Sequence, residues 1–128
     1  MPEEKRCILL VDDESTILTV VRKRLEISGF AVAIAADGFE ALAKARVERP
    51  DLIVLDLMMP KMDGLQVCAE IKQDPRCRGI PVVIFTGKGT EVDADVCRRL
   101  GVDAYVHKAD GTANLLREIS RLLPPNGA

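Results

Sequence analysis

The chain has 128 residues, 48% of them hydrophobic, enough to fill one compact core and too few for an ordinary second domain. Its 18 basic and 20 acidic side chains are interspersed and give a net charge of -2, which argues against a nucleic-acid surface. No stretch reaches the roughly 18 apolar residues of a membrane span, and residues 1–6 are polar rather than a signal peptide, so a cytoplasmic protein is expected. Cys7, Cys68, Cys77 and Cys97 form no CxxC pair and have no histidine at zinc-ligand spacing, so they read as reduced packing residues.

The first element is Cys7–Val11, a short apolar run that ends abruptly at Asp12-Asp13-Glu14, as a strand buried on both faces would. Residues 15–28 carry Ile17, Leu18, Val21 and Leu25 at helical spacing, and Gly29 supplies a stop. Residues 30–35 read as a second strand and Asp37-Gly38 as a turn. Residues 40–49 read as a helix with Ala41, Leu42, Ala45 and Val47 on its inner side, ended by Pro50.

The rhythm repeats three more times. Residues 51–55 form a strand ending at Asp56, followed by a Pro60–Gly64 turn and a helix through Leu65, Cys68 and Ile71. Residues 81–85 form a strand ending at Thr86, then a helix carrying Val92, Val96 and Leu100. Ala104–His107 is a short strand ending at Lys108, and Leu115, Leu116, Ile119, Leu122 and Leu123 line a last helix. Five strand–helix units with continuous apolar strands imply a parallel sheet covered by helices on both faces. The domain is expected to span residues 1–123, with 124–128 a tail or linker stub.

In such sheets ligands bind beyond the carboxyl ends of the strands. Those ends carry Asp12, Asp13, Asp56, Thr86 and Lys108: three carboxylates, a hydroxyl and an ammonium. Clustered carboxylates repel one another, and a hard divalent cation relieves the repulsion; Mg²⁺ suits an all-oxygen shell. The single histidine, His107, argues against a zinc site or a histidine triad. Metal, ammonium and hydroxyl together would neutralise a transferring phosphoryl group, and a carboxylate beside them can be the nucleophile. Gly87-Lys88-Gly89-Thr90 does not satisfy the G-x-x-x-x-G-K-[ST] phosphate loop and reads as a flexible segment that lets Thr86 move. A haloacid-dehalogenase-type phosphatase would need aspartate where Met58 stands.

Over essentially its full length the chain resembles the CheY-like receiver domains of response regulators. The carrying stretches are Ile8-Leu9-Leu10-Val11-Asp12-Asp13-Glu14, Leu55-Asp56-Leu57-Met58-Met59-Pro60-Lys61-Met62-Asp63-Gly64, Phe85-Thr86-Gly87 and Tyr105-Val106-His107-Lys108. The resemblance implies a three-layer α/β/α sandwich, flavodoxin-like, with five parallel strands in the order 2-1-3-4-5. It implies a phosphoacceptor switch rather than an enzyme, with Asp56 receiving a phosphoryl group from a sensor histidine kinase or histidine phosphotransfer protein.

By the same resemblance Asp13 would ligate Mg²⁺ (or Mn²⁺) directly and Asp12 through water, with Asp56 and the backbone carbonyl of Met58 in the same metal set. Lys108 would contact Asp56 and then the phosphoryl group, Thr86 would close on a phosphoryl oxygen, and Tyr105 would swing inward behind it. An output protein, output domain or second receiver would bind through residues about 90–123, with no membrane and no direct nucleic-acid contact. Met58 and Lys88 would flank the path of an attacking water. The alternatives are a degenerate receiver serving as a constitutive binding module, or a small Mg²⁺-dependent phosphohydrolase.

The chain departs from the family after the lysine, where Ala109 replaces the usual proline and Asp110 a hydrophobe. Asp110 is expected to cap the last helix. A cis bond before alanine costs about 2.5–4 kcal/mol against roughly 0.5–1 before proline, so Lys108–Ala109 is expected trans, with Gly111 absorbing the shift. The Lys108–Asp56 contact is read as too solvent-exposed to hold a cis bond there.

Overall fold

The computed structural model describes residues 5–87 and 91–123, with the backbone alone for 91–93. Five strands, β1 (Cys7–Val11), β2 (Ala31–Ala35), β3 (Leu52–Leu55), β4 (Val82–Thr86) and β5 (Ala104–His107), alternate with five helices. The helices are α1 (Ser15–Ile27), α2 (Gly38–Glu48), α3 (Gly64–Gln73), α4 (Glu91–Leu100) and α5 (Thr112–Leu122). The sheet is parallel throughout, in the order β2-β1-β3-β4-β5. The expected flavodoxin-like sandwich is therefore the observed one.

The alternation of side chains along each strand builds two cores from one sheet. Leu9, Val11, Ile53, Leu55 and Ile84 face α2 and α3, where Leu42, Val67 and Ile71 meet them, together with Cys97 of α4. Ile8, Leu10, Val54, Val83 and Phe85 face the other way, onto Val21 and Leu25 of α1 and Leu115 and Ile119 of α5. Every residue of β3 and β4 is buried, whereas β2, at the sheet edge, is mostly half-buried. Among the described residues no helix is long and apolar enough to cross a membrane. None of the four cysteines is in a disulfide, and Cys68, Cys77 and Cys97 are buried.

Local chemistry sets the helix starts. The Asp37 carboxylate accepts from the Glu40 N–H at 2.9 Å and caps α2. Asp63 and Gln66 form a capping box at α3, with contacts of 2.9 and 3.4 Å. Asp110 does not cap α5, contrary to expectation. It lies inside a 3₁₀ turn, Lys108–Asp110, and the cap position falls to Gly111, which no side chain caps. Gly111 sits at φ 85°, the region that favours glycine, and the Lys108–Ala109 peptide is trans.

A second expectation is overturned on α2. Val47 is not on the inner side; it is 82% exposed, and Gly38 joins Ala41, Leu42 and Ala45 as the buried face. Val47 lies two residues beyond Ala45, about 200° around the helix, which carries it outward. The readings for Lys88, for the 88–90 part of the loop and for the 124–128 tail lie outside the described residues.

Candidate functional site

The carboxyl ends of β1, β3, β4 and β5 come together at one edge of the sheet. Parallel pairing carries Asp12 and Asp56 just past their strands: the Asp12 N–H donates to Ala35 O at 3.1 Å and the Asp56 N–H to Val11 O at 3.0 Å. Each carboxylate is also tied to its own chain two residues on. Asp12 Oδ1 accepts from the Glu14 N–H at 3.0 Å, and Asp56 Oδ1 from the Met58 N–H at 3.2 Å. Gly64 lets α3 start directly against this turn: a Cβ there would stand 2.3 Å from Asp56 O and 2.5 Å from Leu57 Cα.

Lys108 closes the cluster from the end of β5. Its Nζ lies 2.7 Å from Asp12 Oδ2, 3.1 Å from Asp56 Oδ2 and 3.5 Å from Glu14 Oε1. The Lys108 side chain is 14% exposed and that of Asp12 2%, so the contact is more enclosed than the sequence suggested. Burial pushes the Asp12 carboxyl up, and Asp56 adds to this against the hydrogen bond from Lys108. At Lys108 burial favours the neutral amine, but hydrogen bonds to Asp12 and then Asp56 outweigh it and raise the ammonium. Both values rise, with opposite effects on charge: at Asp12 burial and the neighbouring Asp56 favour the neutral acid, whereas at Lys108 the carboxylates that share it favour the ammonium.

Asp12, Asp13 and Asp56 each bring a carboxylate oxygen within 4.8 Å of the others. Such a set of hard oxygen donors, with no imidazole or thiolate, fits a hard divalent cation of the Mg²⁺ class. Asp13 is exposed and lines a cleft of about 410 Å³ with Glu14, Asp56, Met58, Gly87 and Lys108. Asp12 is buried and meets the cleft through Lys108, which lines it. The Met58 side chain stands on the rim, 55% exposed, while Met59 and Met62 pack against the core.

Thr86 is buried at the end of β4, beside His107 in the register, and its Oγ1 has no hydrogen-bond partner among the described residues. Tyr105 is half-buried on β5 against the α3–α4 side of the core, its ring edge-on to His107 with centroids 5.3 Å apart. The structure thus brings Asp12, Asp13, Asp56, Met58, Thr86 and Lys108 to one end of the sheet and leaves Tyr105 two residues behind His107, the register partner of Thr86. The sequence assigns Glu14 no site role and Gly87 only a place in a flexible loop, yet both line the cleft and Glu14 reaches Lys108. The signal for Glu14 was present in its adjacency to Asp12-Asp13.

A family model described as the response regulator receiver domain matches residues 8–120. The chain is 46% identical over 101 residues to the alkaline phosphatase synthesis transcriptional regulatory protein PhoP of Bacillus subtilis, covering 79% of this chain and 41% of that one. It resembles the receiver domain of sensor histidine kinase PA1611 from Pseudomonas aeruginosa, solved with magnesium coordinated in the active site cleft (TM-score 0.85, 30% identity, 95% and 100% of the two chains). It also resembles the Mn(2+)-bound form of response regulator Rcp1 (TM-score 0.80, 33% identity, 94% and 97%). The chain spans half or less of the length of the curated relatives it matches.

Proposed function

The chain belongs to the response regulator receiver domain family, and we propose that it is a phosphorylation-controlled switch whose phosphoacceptor is Asp56. The observation that carries the proposal is the pair of contacts on one carboxylate: Asp56 is held by the Met58 N–H on Oδ1 and by Lys108 on Oδ2, beside two further acids. A carboxylate so fixed is oriented for in-line attack on phosphorus. The donor is a phosphohistidine of a sensor kinase or phosphotransfer protein. The new bond joins an Asp56 carboxylate oxygen to phosphorus, the phosphorus–nitrogen bond breaks, and its electron pair stays on the donor imidazole, which takes up a proton.

Asp13, Asp56 and the Met58 carbonyl would hold Mg²⁺ directly and Asp12 through water. When bound, the metal supplies positive charge to the phosphoryl oxygens. Lys108 keeps its charge at neutral pH and moves from the Asp56 carboxylate to a phosphoryl oxygen once the acyl phosphate forms. Thr86 brings a buried hydroxyl whose donor is not committed to another described group, which suits it to close on the same phosphoryl group. Tyr105 follows behind it, and the surface of residues about 90–123 carries the change to an output protein, an output domain or a second receiver. The receiver domain comprises residues 1–123 in this reading, and the protein works in the cytoplasm.

Incubation with Mg²⁺ and acetyl phosphate, followed by intact mass, tests the assignment. One phosphoryl adduct is expected on the parent and none on Asp56→Asn, because an amide is not a nucleophile at neutral pH. Full single-site labelling of Asp56→Asn would overturn it, and steady release of phosphate by the parent would favour a hydrolase.

A further inference from the structure

Helix α2 is apolar on two faces, and only one of them is covered. The inner face, Gly38, Ala41, Leu42 and Ala45, is buried on the sheet and α3. The outer face carries Phe39, 58% exposed, then exposed Ala43, then Val47, 82% exposed. These positions are spaced i, i+4 and i+8 and form one stripe along the helix. None of them lines the acidic cleft.

We propose that this stripe is a self-association surface, on which two copies of the chain pack their α2 helices antiparallel about a two-fold axis at Ala43. The stripe is large–small–large about that alanine. A two-fold contact therefore sets the small side chains against each other at the axis, where the backbones approach, and lays Phe39 of each copy over Val47 of the other.

Charge supports a second copy as the occupant. Glu40 and Lys44 share one flank of the stripe and are paired within the helix at 3.1 Å, and the Lys44 Nζ also donates to Ile34 O of β2. The two-fold axis brings Glu40 of each copy beside Lys44 of the other, so the flank becomes a ring of four alternating charges. On the opposite flank Arg46 is already neutralised by Asp74 at 2.8 Å and Glu70 at 3.8 Å, so no uncompensated like charges meet there. A single helix face of this length buries less than about 1,200 Å² in total, the weak and transient class of interface. Association is thus expected in the upper micromolar range, and it leaves the cleft open. This inference does not depend on the phosphoryl reading.

Sedimentation equilibrium on the full chain between roughly 20 and 500 µM, a range that brackets such affinities, reads the association. The parent mass should rise above 14.0 kDa with concentration. Phe39→Glu, checked for folding by circular dichroism, should stay monomeric. Glu40→Lys and Lys44→Glu each place like charges across the axis and should also be monomeric alone, whereas an equimolar mixture of the two restores both cross-pairs and should associate like the parent. A parent that stays monomeric, a Phe39→Glu protein that associates unchanged, or a mixture no more associated than its separate components would each overturn the proposal.

Discussion

Lys108 is the only cation seen on Asp12 and Asp56 among the described residues, and replacing it with methionine isolates its charge while keeping most of the stem that packs. The parent has charge-assisted contacts at 2.7 and 3.1 Å, each of a kind worth about 1.5–3 kcal/mol when formed. The ammonium is itself desolvated and keeps 14% of its side-chain exposure at the cleft mouth, so the two do not sum, and a net loss of about 2–3 kcal/mol is expected in metal-free buffer. For a chain of this size that corresponds to a fall in Tm of roughly 10 °C.

The sign with pH follows from the raised Lys108 ammonium. Its contribution is fully present below the unfolded lysine value of about 10.4 and is lost as pH rises through the folded one, so parent and variant should converge above that. Mg²⁺ should narrow the gap too, because it neutralises the same carboxylates. Thermal unfolding with and without Mg²⁺ at pH 7, and urea unfolding from pH 7 to 11, measure all three effects. A Lys108→Met protein that melts with the parent or above it in metal-free buffer would refute the reasoning. Asp13→Ala provides the opposite sign: removing one of the crowded acids should leave the metal-free Tm no lower than the parent's, while weakening stabilisation by Mg²⁺.

Three further outcomes are expected. Gly64→Ala forces its Cβ to 2.3 Å from Asp56 O and 2.5 Å from Leu57 Cα and should cost about 2–3 kcal/mol in urea unfolding; Gly38→Ala meets Val67 Cγ2 at 2.7 Å, Met62 Cβ at 2.9 Å and Met62 O at 3.0 Å, a looser fit, and should cost less, so equal losses would count against the geometry. The Asp74 carboxyl is held well below the usual range by the Arg76 side chain and N–H and by Arg46, so its contribution is present above about pH 3.9 and lost as pH falls below it. The Asp74→Asn protein should therefore be less stable at pH 7 and show a flatter decline between pH 4 and 2, in numbers read from acid titrations by circular dichroism. Met58→Asn should shorten the life of the Asp56 acyl phosphate, because an amide can orient a water where a thioether cannot; an unchanged decay of labelled protein would remove Met58 from that role.

What the sequence made legible divides along physical lines. Strands such as Ile8–Val11 and Val82–Phe85 are unbroken apolar runs cut off by a polar residue, and a run buried on both faces needs no register to be recognised. The site residues stand at those cut-offs, so their convergence followed once the strands were taken as parallel. Which oxygen Lys108 would choose was not legible. Its reach to Asp12, shorter than that to Asp56, depends on side-chain placement in three dimensions that no strand-end residue announces.

Helix α2 shows the limit most clearly. An amphipathic helix announces its buried side by contrast, and α2 has little contrast to offer: alanines sit on both faces, and Phe39 and Val47 lie outside while Gly38 lies inside. Expecting Val47 in the core was an assumption that large apolar side chains are buried within their own chain. For a helix whose outer row is as apolar as its inner one, the sequence specifies two contacts, and one domain can satisfy only the first.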